Sequence, residues 1–571
     1  MLNKNFLNRL PLYFFSFLLF QGVSAQKLKS LNTEESTSSL VVKEDVFSSG
    51  SDSKPKLVVG IVVDQMRYDY LTRFWNHYSQ GGFKRLINEG FNCKNNHFNY
   101  VPTYTGPGHA SVYTGTTPAF HGIIGNDWFD INSNEMVYCA GDDSYNTVGS
   151  SSNAGKMSPS RLISSTITDE LKLATQLRAK VIGVALKDRG AILPAGHAAN
   201  AAYWFEGGKE GKWISSDYYQ KELPAWVKKF NSSGRVKEYL KVWNTIHPIA
   251  TYLESGPDIT NFEAAFEGEK TPSFPHDLKK LSKENGDFDI LKSTPFGNSL
   301  TLDFALEAIE AEAMGKDSIT DFLAVSFSST DYVGHQFGVN SKEVQDTYIR
   351  LDLELERLLN ELDKRVGKGA YTIFLTADHG AVNVPAYLKS VKIPGKYVEA
   401  GDYKDKISKE LEAVLGVSDL ILSVYNDQVF IDHDKIESAG LKEAEVIENI
   451  TEIITKFDGI MGVYTRKQLI TENYTHPLLS KIQMGYNFER SGDVVFVLHP
   501  ATISYWSTGS THGSGFSYDT HVPLLFYGKG INGGSTVKRT EISDIAPTIA
   551  SLLGISYPNA AIGNPIEEVL D

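Results

Sequence analysis

The chain has 571 residues, with 55 Lys and Arg against 69 Asp and Glu and a formal net charge of −14 at pH 7. This acidic balance gives no electrostatic footprint for nucleic acid, and no such partner is expected. The two cysteines, Cys93 and Cys139, lack C-x-x-C spacing, which argues against a thiolate metal centre; one disulfide and two buried thiols are both compatible with them.

The first 25 residues have the pattern of an export signal. Lys4 and Arg9 flank the start of an apolar run, LPLYFFSFLLF follows, and Val23-Ser24-Ala25 is a small-residue cleavage site before Gln26. The run is short against the about 20 residues a bilayer span needs, so cleavage and release to the periplasm or medium are expected over retention as an anchor. No later stretch reads as a span. Residues 26–54, rich in Ser, Glu, Lys and Thr, read as a flexible leader. Beyond it the pattern predicts a strand at 56–64, helices near 69–89, a strand at 180–187, a helix at 297–314, a strand at 321–327, a helix at 341–364 and a strand at 371–377. HVPLLFYG reads as a strand, and EISDIAPTIASLLG as a helix with Ser543 as its N-cap. Strand–helix alternation predicts an α/β fold with a large, mostly parallel central sheet flanked by helices. Residues about 195–295 and 385–500 fit the alternation less well, and they are expected to be insertions that cap a single α/β domain covering 55–571.

Six residues carry the chemistry. Asp64 ends KLVVGIVVDQ, Asp331 and His335 lie in STDYVGHQ, Asp378 and His379 end YTIFLTADHG, and His512 lies in STGSTHGSG. In open α/β sheets ligands bind beyond the carboxyl ends of strands. Carboxylate and imidazole are the donors a zinc pair takes, and such a pair can clamp both oxygens of an in-line displacement at phosphorus. These residues run from position 64 to position 512, so cutting the chain into sequential domains would separate them.

A second stretch is VPTYTGPGHASVYTGTTPAFHGIIGNDWFD. Thr105, Gly106, Pro107 and Gly108 form a turn that opens a helix, where unpaired N–H groups and the dipole favour an alkoxide or a phosphoryl oxygen. An ordinary N-cap would look the same. Asn126 offers an amide in a Gly-rich turn. Lys187 and Arg189, two apart at a strand end, would project to one side and suit a phosphate dianion, although a solvated surface pair has the same spacing.

The motifs VVDQMR, TYTGPGHASVYTG, HGIIGNDW, LKDRGAILPAG, STDYVGH, TADHGA and STHGSG together resemble the alkaline phosphatase superfamily, and most of all its PafA-type phosphate-irrepressible alkaline phosphatases, from about Lys56 to the C-terminus. The resemblance implies a phosphomonoesterase with two zinc ions per chain. It implies that Thr105 is the nucleophile, that Asp64, Asp378 and His379 hold one zinc and Asp331, His335 and His512 the other, and that Asn126, Lys187 and Arg189 bind phosphoryl oxygens. Thr105-Gly106-Pro107-Gly108-His109 departs from the C-x-P-x-R signature of sulfatases. Phosphodiesterases and nucleotide pyrophosphatases of the superfamily share the Thr and the six ligands and are the alternative; two cations on the transferred group favour a monoester. A non-catalytic zinc- or phosphate-binding protein would be expected to have lost a ligand or the nucleophile.

Overall fold

The computed structural model describes residues 54–505 and 508–570; the expected signal and all but the last residue of the leader lie outside them. The strands Leu57–Val63, Asp321–Phe327 and Tyr371–Thr376 are buried at every position. Such continuous apolar runs belong to parallel strands covered on both faces. They sit at the centre of a ten-stranded sheet. From one edge the order is Gly534–Glu541, Phe91–His97, Leu524–Gly528, Tyr371–Thr376, Leu57–Val63, Asp321–Phe327, Val181–Ala185, Ala201–Glu206, Lys212–Ser216 and Thr147–Val148. Only Leu524–Gly528 and Lys212–Ser216 run against the rest. The fold is the expected α/β class with a mixed, mostly parallel sheet.

The segment beginning near 195 first contributes Ala201–Glu206 and Lys212–Ser216 to this sheet and only then leaves it. Within the segment from 385 a separate four-stranded antiparallel sheet forms, from Ile421–Tyr425, Gln428–Ile431, Val494–Leu498 and Ile460–Thr465, with its own apolar cluster around Ile407, Val446, Ile450 and Phe496. Cys93 and Cys139 are both free and buried. Ser543 is not the N-cap expected of it. It lies in a short 3₁₀ turn, Ile542–Asp544, bracketed by a reciprocal Glu541–Asp544 capping box, and the α-helix starts later, at Ile545.

The helix Thr105–Thr114 is buried at every residue. It crosses the sheet where Gly60, on the central strand, leaves room: a Cβ there would stand 2.4 Å from the Tyr113 hydroxyl and 2.6 Å from the Phe374 ring. Gly60→Ala is therefore expected to overpack this contact at a cost of about 1–3 kcal/mol. A denaturant midpoint equal to the parent's would show that the helix does not bear on the sheet there.

Candidate active site

Four neighbouring strands build the site. Tyr371–Thr376, Leu57–Val63, Asp321–Phe327 and Val181–Ala185 are parallel and adjacent, so their carboxyl ends line up along one edge at about 4.8 Å spacing. Those ends carry Asp378 and His379, then Asp64, then Asp331 in the first turn of the helix Ser329–Phe337, then Lys187. Asp64, Asp378 and His379 are fully buried, and Asp331 and Lys187 nearly so. His335 follows Asp331 by one helical turn, with its Nε2 3.1 Å from Asp331 Oδ1. His512 comes from a loop, and its ring stacks on His379 with centroids 3.4 Å apart.

Two donor groups result. Asp64, Asp378 and His379 bring one ligand atom each within 4.8 Å of one another, and so do Asp331, His379 and His512. His379 thus stands between the two groups, while His335 reaches Asp331 from outside the second. The three histidines are oriented alike: His335 Nδ1 lies 2.8 Å from Ser510 O, His512 Nδ1 2.8 Å from Thr103 O, and His379 Nδ1 3.0 Å from Gly380 O. A carbonyl can only accept, so each Nδ1 carries a proton and Nε2 is the ring nitrogen left for a ligand role. Metal-bound histidines are commonly held this way. Asp64 Oδ1 and Asp378 Oδ2 are buried with no hydrogen-bond donor. Imidazole nitrogens beside orphaned carboxylate oxygens are a donor set that could hold a divalent metal.

Charge is strongly coupled here. Burial raises the Asp64 carboxyl to about 6, against the pull of Lys187. Burial, with Asp64 adding to it, pushes Asp378 well above the usual carboxylate range. For Asp331 burial acts upward but is outweighed by His335 and Lys187, which hold it well below. Burial, with the neighbouring His512 adding to it, holds His379 well below the usual imidazole range, which favours the neutral form.

Thr105 is the first residue of its helix and 1% exposed. Its Oγ1 lies 3.4 Å from both His379 Nε2 and Lys187 Nζ. Gly108, one turn on, allows the approach, since a Cβ there would meet the Asp378 carbonyl at 2.3 Å. Asn126 Oδ1 accepts from Gly106 N at 2.8 Å, which turns the amide donor of Asn126 away from the helix. Lys187 and Arg189 do not follow strand alternation as expected. The strand ends at Ala185, Lys187 is the N-cap of the helix Asp188–Ala195, and Arg189 lies in its first turn. Lys187 Nζ bridges Asp64 Oδ2 at 2.7 Å and Asp331 Oδ2 at 2.6 Å. Arg189 donates to Tyr138 OH at 3.1 Å, and its Nε is buried without a partner.

Sequence reasoning passed over Gln65 and Tyr138. Gln65 N donates to Asp378 Oδ1 at 3.1 Å and its Nε2 to Asp331 Oδ1 at 2.7 Å, so one residue ties both donor groups together. It does so from a left-handed backbone, φ 63°, that nothing in VVDQMR announces. Its position beside Asp64 was the only signal. Tyr138 OH donates to Asp188 and accepts from Arg189, orienting the guanidinium.

The family described as Type I phosphodiesterase / nucleotide pyrophosphatase matches residues 58–521. The chain belongs to it. Within this family and the wider alkaline phosphatase superfamily, the chain is 49% identical over 531 residues to a Myroides odoratus protein named calcium-transporting ATPase, covering 92% of this chain and 96% of that one. It is 47% identical over 522 residues to alkaline phosphatase PhoV of Synechococcus elongatus, covering 91% and 93%. The crystal structure of wild-type alkaline phosphatase PafA superposes with a TM-score of 0.88 at 43% identity, covering 91% of this chain and 99% of that one.

Replacing Gln65 with Leu removes a hydrogen bond to Asp331 that a metal ligand of this kind relies on. Metal affinity is expected to fall about 10- to 100-fold, read as metal retained on dialysis against graded chelator. Unchanged retention would mean that the amide does not steady the carboxylate.

Proposed function

We propose that the protein is an exported alkaline phosphatase, a zinc-dependent phosphomonoesterase that works through a covalent phosphothreonine at Thr105. The observation that carries this reading is the position of the Thr105 hydroxyl, buried at a helix start and equidistant from an imidazole of the metal-donor groups and from the Lys187 ammonium. The likeness to PhoV and PafA, over nine-tenths of each chain, supports it. One α/β domain spans 55–571, capped by parts of the segments about 195–295 and 385–500. No helix among the described residues is long and apolar enough to cross a membrane.

Asp64, Asp378 and His379 would hold one zinc ion and Asp331, His335 and His512 the second. Carboxylate and imidazole donors without thiolate suit that metal. When bound, the two ions supply positive charge that ionises an attacking oxygen near neutral pH and steadies the departing one. The chain's own residues do the rest. Lys187 joins the two halves of the site and faces the nucleophile. The Asn126 amide and the Arg189 Nε, unpaired among the described residues, would be donors for non-bridging phosphoryl oxygens. The Thr105 oxygen bonds to phosphorus, the ester bond breaks, and the alcohol leaves with a proton from water. A water molecule then displaces Thr105, which regains its proton, and phosphate is released.

Two experiments test this. Thr105→Ala is expected to lower turnover of an aryl phosphate by at least about 10³-fold with the fold intact, while Thr105→Ser keeps substantial activity. Parent-like turnover in Thr105→Ala would exclude the covalent route. The phosphodiesterase alternative rests on the family's description, and the Lys187–Arg189 pair weighs against it. Each preorganised contact to a charged oxygen is worth about 10²–10³ in rate. The parent enzyme is therefore expected to favour an aryl phosphate over the matching methyl diester by several powers of ten in kcat/KM, and a preference for the diester would reverse the assignment.

A further inference from the structure

Beside the site lies a cavity of ≈170 Å³ that the reaction as described does not use. Tyr104, the residue before the nucleophile, and His512 form the wall it shares with the site. Val101 and Pro102 continue that wall, and the antiparallel sheet of the 385–500 segment closes the other side through Phe496 and the backbone around it. Tyr486 and Tyr518 also line the space. A purely apolar cavity here would accept any greasy alcohol. Two carboxylates make it different.

Asp427 sits at the tip of the hairpin between Ile421–Tyr425 and Gln428–Ile431, where Asn426 and Asp427 both adopt positive φ. The tip is anchored: Asn426 Nδ2 donates to Asp127 O at 2.7 Å, and Phe496 N donates to Asp427 O at 2.9 Å. These bonds use the Asn426 side chain and the Asp427 backbone. The Asp427 carboxylate itself has neither a hydrogen bond nor a salt bridge among the described residues, and it lines the cavity. Burial with no counter-charge pushes it up to about 7. Asp519 is 1% exposed; its Oδ2 accepts from Ser514 N at 2.8 Å and Ser514 Oγ at 2.6 Å, while its Oδ1 has no partner. Among the described residues no lysine or arginine lines the cavity. Arg67, which acts on Asp519 from outside, is engaged by Asp69 at 2.7 Å.

A partly buried carboxylate in a cavity lined by aromatic residues is an environment that suits an alkylammonium group, through charge and contact with the rings. We propose that the cavity receives the alcohol part of the phosphate monoester, and that it selects alcohols bearing an ammonium group, as in phosphocholine. The inference rests on the monoesterase reading above and adds a substrate class to it. Asp427 is the specificity-determining residue, held at the mouth by the Asn426 anchor to the Asn126–Asp127 segment.

The test compares kcat/KM for phosphocholine and for 3,3-dimethylbutyl phosphate, which has the same shape with carbon in place of nitrogen. The purified enzyme is expected to prefer phosphocholine by about tenfold or more, the scale of one well-placed cation–π and charge contact. Asp427→Asn is expected to bring the ratio towards one. The ratio is the readout, so a general loss of active enzyme cancels from it. If that variant does not fold, choline as inhibitor of the parent decides: it should raise KM for the neutral ester and leave kcat unchanged. Equal kcat/KM for the two esters, with both hydrolysed, overturns the inference and leaves the monoesterase reading standing. Hydrolysis of neither ester, nor of an aryl phosphate, overturns both. A preference that survives in Asp427→Asn would contradict the role given to that residue.

Discussion

Three carboxylates, Asp64, Asp331 and Asp378, are held against one another at the ends of three adjacent buried strands, with a single ammonium, Lys187, between two of them. Burial raises Asp64 and Asp378, with the neighbouring carboxylates adding to it, while His335 and Lys187 hold Asp331 low. The fold enforces the arrangement through the sheet, whose register cannot shift without moving whole apolar runs off their neighbours. The cost is met by bringing positive charge, and the inward Nε2 atoms of His335, His379 and His512 fit a metal pair as that charge. A protein that stores such repulsion in its core does so for function, because uncharged residues of similar size would pack there more stably.

The helix Thr105–Thr114 depends on the same constraint. Its first turn touches the Asp378 backbone, which only the missing side chain of Gly108 allows, and its last turns press on Gly60 of the central strand. His109 fixes the turn from within, with Nδ1 2.9 Å from Thr105 O and Nε2 2.9 Å from Ser326 Oγ. The histidine is structural in that sense, yet it connects the Thr105 carbonyl to the strand that leads to Asp331. The antiparallel sheet of the 385–500 segment is tied in by the Asn426 contact to Asp127 O, next to Asn126. The roles proposed for Asn126 and Asp427 would therefore meet at one short segment of chain.

Much of this was legible in the sequence, for a physical reason. Strands buried on both faces must be continuous apolar runs, so LVVGIVV, DFLAVSF and YTIFLT declare themselves, and the polar residue that follows each run can only lie at the strand's end. What was not legible depends on contacts distant in sequence. The strands Ala201–Glu206 and Lys212–Ser216 are buried in the main sheet, Trp204 and Trp213 included, although the composition of the stretch around them suggested an insertion. Lys187 and Arg189 read as strand positions because VIGVALKDR has no break; the helix begins at Asp188, which is acidic and suited to a first turn. Gln65 takes a backbone conformation that its residue type does not advertise, and its role is set by Asp331 and Asp378, some 260 and 310 positions away along the chain. The capping box at Glu541 and Asp544 displaced Ser543 because two reciprocal bonds satisfy the turn better than one hydroxyl.

The central claim is that the strand ends assemble a two-zinc centre around Thr105. Anomalous diffraction from crystals of the purified protein, collected on both sides of the zinc edge, tests it most directly. The account predicts two zinc peaks about 4 Å apart, one against Asp64, Asp378 and His379, the other against Asp331, His335 and His512, and both facing the Thr105 hydroxyl. A single peak, or two peaks away from these side chains in fully active protein, would contradict it.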